Sequence, residues 1–118
     1  FYNLPHGECN AILLPYVCEY NLIAARRRFG RIAKLLGERT EGYTANESAE
    51  AAVKAIRELS RDVNIPDGLI ALGKKYGKEV REEDIPIMTA NAQKDACGLT
   101  NPRIMTDAAV AAIYKKAL

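Results

Sequence analysis

The chain has 118 residues, enough for one small domain with a core of its own, and 27% charged against 48% apolar residues excludes a disordered composition. Its net charge of +2, with a pI near 8.5, is too mild to argue for a nucleic-acid partner, and no apolar run reaches the ~20 residues of a membrane span. No basic stretch with an A-x-A-like cleavage site opens the chain, and three cysteines (Cys9, Cys18 and Cys97) in neither disulfide nor zinc-ribbon spacing fit a reducing cytoplasm.

Strand signals are nearly absent, because β-branched residues never alternate over a useful length, whereas helical periodicity recurs throughout. The first predicted helix runs from about His6 to Tyr20. Ala11, Ile12, Leu13, Leu14, Tyr16, Val17 and Cys18 leave it almost no polar face, so it should be buried. Pro15 lies inside it and removes the amide that would bond the Ala11 carbonyl, which predicts a kink there or a break at Leu14-Pro15. The second helix covers Leu22 to Leu36, with Leu22, Ala25, Phe29, Ile32, Ala33 and Leu36 on one stripe and Gly37 as its stop. The third begins after Thr44 or Asn46, with Glu47 placed for a capping box. Ala49, Ala52, Val53, Ile56, Leu59 and Val63 form its apolar face, and Glu50 with Lys54 is an i,i+4 pair in the favourable order.

"NIPDG" breaks the chain, and a short helix follows at about Leu69 to Lys75. "REEDIPIMTANAQKDA" puts acids at a helix start, confines Pro86 to the first turn, and aligns Ile85, Met88, Ala92 and Ala96. "CGLTNPR" reads as a loop. Thr106 caps a last helix, "DAAVAAIYKKAL", whose Lys115 and Lys116 suit its C-terminal dipole. These segments predict an all-α bundle of five or six helices. The expected core includes Leu13, Val17, Phe29, Ile32, Val53, Ile56, Leu59, Met88, Ile113 and Tyr114.

Three features invite a chemical reading. His6, the one histidine, is either an ornament on a helix start or a metal ligand or acid–base group. Cys9, three residues on, would share its helical face, but two groups do not make a site where zinc and iron want three or four protein ligands. Arg26, Arg27, Arg28, Arg31 and Lys34 form either a phosphate-contacting patch for nucleic acid or an acidic protein, or the solvated face of an amphipathic helix. Acids follow at Glu38 and Glu41, and no aromatic side chains interleave for stacking, which favours the solvated face. Cys97, in a turn-rich loop, either lines a cleft or fills space. No Gly-rich phosphate loop, G-x-S-x-G or H-E-x-x-H occurs.

"FYNLPHGECNAILLPYVCEYN" closely resembles the "PHG-x-x-NA-x-LLP-x-V" stretch of the iron-type (group III) alcohol dehydrogenases. "IAKLLG", "LSRDVNIPDGL", "EEDIP", the run "ANAQKDAC", "TNPR" and "IYKKAL" are similar to later segments of that family in the same order, so the resemblance spans the chain. It implies residues 1–118 are part of an all-α C-terminal domain, preceded in the family by an α/β domain that binds NAD or NADP, and thus a chain that starts mid-domain. It also implies a fragment of an oxidoreductase that interconverts a small alcohol and its aldehyde or ketone. The metal would be divalent (iron, or zinc or another substitute), held by one aspartate and three histidines. His6 matches the last of these histidines; the other ligands lie upstream, so the chain alone should be inactive. Cys97 matches, more weakly, a cysteine near the substrate in some members. Tyr16 departs from the family, many of whose members carry histidine there. The implied protein is a cytoplasmic homo-oligomer with no nucleic-acid or membrane partner.

Overall fold

Apolar residues on every side make His6–Asn21, α1, the central helix of the computed structural model, which describes residues 2–95 and 100–118. α1 runs unbroken through the buried Pro15, so the predicted break is not taken. Five further α-helices follow among the described residues, which contain no strand: α2 (Arg26–Leu35), α3 (Ala45–Asp62), α4 (Leu69–Lys75), α5 (Ile85–Gln93) and α6 (Asp107–Ala117). The all-helical expectation holds. The molecule is a slab of 45 × 31 × 19 Å, its thinnest dimension close to two stacked helices of ~10 Å each.

α1 belongs to two cores. Toward its C-terminal end, Cys18 joins Leu22, Phe29, Ala33, Ala49, Ala52 and Val53, where α1, α2 and α3 meet. Toward its N-terminal end, Ile12 joins Leu69, Leu72, Val80, Met88 and Ala117. The second helix starts later than its stripe predicts. Leu22–Ala24 is a 3-10 turn, and Ala25, at φ −142°, breaks the chain before α2 begins. Gly37, at φ +90°, ends α2 as expected. Its amide donates to the Lys34 carbonyl and the Glu38 amide to the Ala33 carbonyl, a Schellman arrangement.

Two expected core residues lie outside it: Ile32 is 37% and Leu59 51% exposed. The seam between α2 and α3 is built from small residues, Ala33 against Ala49 and Ala52. Gly30 comes so close to α3 that a Cβ there would stand 3.4 Å from that of Ser48. Phe29 of α2 and Val53 of α3 share that core, while Ile32 and Leu59 fall to its exposed side. Of the other expected core residues, Phe29, Val53, Met88 and Ile113 are buried, and Leu13, Val17, Ile56 and Tyr114 are half-buried.

The predicted caps form. The Thr44 hydroxyl accepts from the Glu47 amide at 3.1 Å while the Glu47 carboxylate accepts from the Thr44 amide at 3.2 Å. Thr44→Ala is therefore expected to cost about 1 kcal/mol, read as faster amide exchange in the first turn of α3, with α6 unaffected. Thr106 likewise caps α6, accepting from the Ala109 amide. Lys54 pairs with Glu58 at 3.8 Å instead of with Glu50, whose carboxylate accepts from Asn46.

"TNPR" fastens the chain before α6 to the C-terminal end of α1. The side-chain amides of buried Asn21 and of Asn101 exchange two hydrogen bonds, at 2.9 and 2.8 Å. Arg103 stacks 4.1 Å above the Tyr20 ring and donates to the Tyr20 carbonyl, one of the acceptors that the end of α1 leaves without a helical partner.

Candidate metal centre

Residues 2–5 deliver the chain to α1. Asn3 takes a left-handed backbone at φ +58°, Leu4 packs on the second core, and Pro5 occupies the N-cap position. The fixed φ of proline suits a helix start. Pro5 offers no side-chain hydrogen bond to the first turn, whose amides stay uncapped by side chains.

His6 is thus the first residue of α1. Its imidazole is exposed and lies on the rim of a cleft of about 460 Å³. One wall is α1, through Cys9 and Leu13; the other is α5, through Met88 and Ala92, with Tyr114 of α6 between them. Nε2 of His6 lies 3.1 Å from Nδ2 of Asn10, one turn on. That contact ties the ring to its own helix, with donor and acceptor set by the imidazole tautomer.

Cys9 shares the cleft, as the three-residue spacing predicts, but it is a poor second ligand. Burial pushes its thiol up, and ligation requires the thiolate. Cys18 is buried in the first core and its thiol is raised for the same reason. Among the described residues, no group of three or more His, Cys, Asp or Glu side chains is placed to hold a metal ion. His6 therefore fits a metal only as one contributor to a larger set, which agrees with a chain carrying a single histidine. Cys97 lies outside the described residues. The arginine face of α2 is exposed and lines no part of the cleft.

Two neighbours of this site carry no signal that sequence reasoning used. Asn10 stands one helical turn from His6, a spacing that could have been read as a side-chain pair. The Tyr2 hydroxyl donates to the Asp84 carboxylate and accepts from the Arg81 amide at 3.1 Å. Also in the first turn of α1, Glu8 accepts from Tyr76 at 2.6 Å and from Lys75 at 3.2 Å. The Tyr76 hydroxyl first, and the Lys75 ammonium with it, hold this carboxyl below its ordinary value.

Comparison with known proteins gives concordant results. The family model described as "Fe-containing alcohol dehydrogenase family, C-terminal" matches residues 1–118. The chain is 41% identical over 117 residues to the NAD-dependent methanol dehydrogenase of Bacillus methanolicus, covering 99% of this chain and 29% of that protein. It is 42% identical over 116 residues to the 1,3-propanediol dehydrogenase of Citrobacter freundii, covering 98% and 28%. The crystal structure of a 1,3-propanediol oxidoreductase superimposes with a TM-score of 0.92 at 42% identity, covering all of this chain and 29% of that one. The chain thus spans under a third of the length of these relatives.

Proposed function

Because the chain belongs to the iron-containing alcohol dehydrogenase family, we propose that it is the C-terminal helical part of a dehydrogenase that interconverts a small alcohol and its aldehyde or ketone. NAD or NADP is the hydride carrier, bound mainly by an α/β domain outside these residues. The observation that carries this reading is the agreement of family, sequence and fold over the whole chain, with the histidine of "PHG" standing on the rim of a cleft.

In this reading His6 contributes one imidazole ligand to a divalent metal, iron or a substitute such as zinc, and the remaining ligands come from outside the chain. A metal bound there supplies Lewis acidity to the alcohol or carbonyl oxygen. The residues of this chain have three tasks. His6 offers an imidazole nitrogen from the first turn of α1. The first turn of α1, without a side-chain cap, would offer partial positive charge to negative charge on a substrate oxygen bound at the rim. The apolar cleft wall, Leu13 and Met88, excludes water from the aliphatic part of a small substrate. The intact protein is a cytoplasmic homo-oligomer that needs neither nucleic acid nor membrane.

The test is chelation of the intact protein followed by reloading with Fe²⁺ or Zn²⁺. Alcohol-dependent reduction of NAD or NADP is expected to disappear on stripping and return on reloading. A preparation verified as metal-free that retains its rate contradicts the reading.

A further inference from the structure

We propose that the hydrogen bond from the Tyr2 hydroxyl to the Asp84 carboxylate is the positioning device that holds His6 in place over the cleft; this rests on the reading of His6 as a metal ligand. The problem it solves is visible at the start of α1. The helices α3 and α6 each begin with a threonine whose hydroxyl takes up a first-turn amide, whereas α1 begins with Pro5 and no side-chain cap. Uncapped ends fray, since their opening exposes little apolar surface. His6 stands on that first turn, exposed, and its contact with Asn10 lies within the same helix and so fixes it to nothing else. Glu8 ties the turn to α4 on one side, but only through solvent-exposed partners.

On the other side the chain itself is tethered. Residues 2–5 form a strap from α5 to α1. At its far end Tyr2 is held by the Asp84 carboxylate and by the Arg81 amide. Partial burial, and then the Asp84 carboxylate, raise the Tyr2 hydroxyl above its ordinary value, so it remains a donor through neutral pH. Between tether and helix, Asn3 turns the chain through a left-handed backbone, which asparagine adopts more readily than other non-glycine residues. Asp84 ends the 3-10 turn Glu82–Asp84, which runs directly into α5, whose Ile85 and Met88 are buried. The strap therefore references His6 to α5, the opposite wall of the cleft. Loosening it changes where the imidazole sits relative to everything else that meets a substrate there.

A purely structural role would move stability and nothing else, so the test reads metal affinity and local order in the intact protein. Zn²⁺ affinity is measured by chelator competition for wild type, Tyr2→Phe, Asp84→Ala, Asp84→Asn and His6→Ala. Amide exchange is followed at Cys9, whose N–H bonds the Pro5 carbonyl at 3.0 Å, and at Asn10. Tyr2→Phe keeps the ring and the packing. It is expected to weaken Zn²⁺ binding about tenfold, the low end of what outer-shell partners of metal ligands give. Exchange at both amides should quicken with the melting temperature nearly unchanged. Asp84→Ala should behave alike, and Asp84→Asn, which keeps an acceptor oxygen, should lie closer to wild type. Unchanged Zn²⁺ affinity in Tyr2→Phe, alongside a clear loss in His6→Ala, overturns the positioning role while leaving His6 a ligand. Unchanged affinity in His6→Ala overturns the ligand reading, and with it the purpose assigned to the tether.

Discussion

His6→Ala in the intact protein is expected to remove bound metal and to lower turnover by roughly a thousandfold or more, while the fold stays as it is. The two halves of this expectation have separate causes. His6 is exposed and touches Asn10 of its own helix. Substitutions at such surface positions usually shift stability by no more than ~0.5 kcal/mol. As a ligand, however, it is one of a small set, and loss of one leaves an incomplete shell. The Lewis-acid contribution then lost is several kcal/mol, and ~4 kcal/mol corresponds to about three orders of magnitude in rate. The measurement is paired: metal content per subunit and the rate of alcohol-dependent NAD(P) reduction, against a far-UV spectrum that should match wild type. A variant that keeps metal and rate would make His6 an ornament of the helix start.

Leu72→Ala is expected to cost about 2–5 kcal/mol, the largest stability loss of any single apolar truncation in the second core. Leu72 is 0% exposed and is the largest fully buried side chain among the described residues. It shares its core with Ile12 of α1, Val80 and Met88. Next to it, Gly73 already sits so tightly that a Cβ would stand 2.7 Å from both the Lys78 carbonyl oxygen and Val80 Cγ2. Leu59→Ala is the control, because Leu59 is half exposed beside the alanine seam and should cost well under 1 kcal/mol. Amide exchange through α4 should rise by roughly 30-fold or more in the first variant and hardly at all in α3 of the second. Equal effects would mean that the seam and the second core have been assigned to the wrong residues.

The local grammar of this chain was legible, and its long-range contacts were not. Thr44 with Glu47, Thr106, Gly37 and Pro86 each act within four residues of themselves, and each does what its spacing announces. The break at Ala25 was invisible, because Leu22 through Leu36 carry one continuous stripe. What stands beside the break is the pairing of Asn21 with Asn101, 80 residues away. Ile32 and Leu59 keep helical spacing yet fall on the exposed side of the α2–α3 contact, because periodicity marks a stripe without marking how far round the helix the partner reaches. The same division holds at the candidate site. Composition and spacing left His6 undecided, and the ligand role proposed for it came from resemblance. The Tyr2–Asp84 tether joins residues 82 apart and has no sequence signature at all.

The central claim is that His6 is a metal ligand in the intact dehydrogenase. Anomalous diffraction at the edge of the bound metal, from crystals of that protein, tests it most directly. The claim predicts a peak about 2.0–2.2 Å from a ring nitrogen of His6, the distance of an imidazole bonded to zinc or a similar divalent ion. A metal bound elsewhere, with the His6 ring beyond bonding distance, would contradict it.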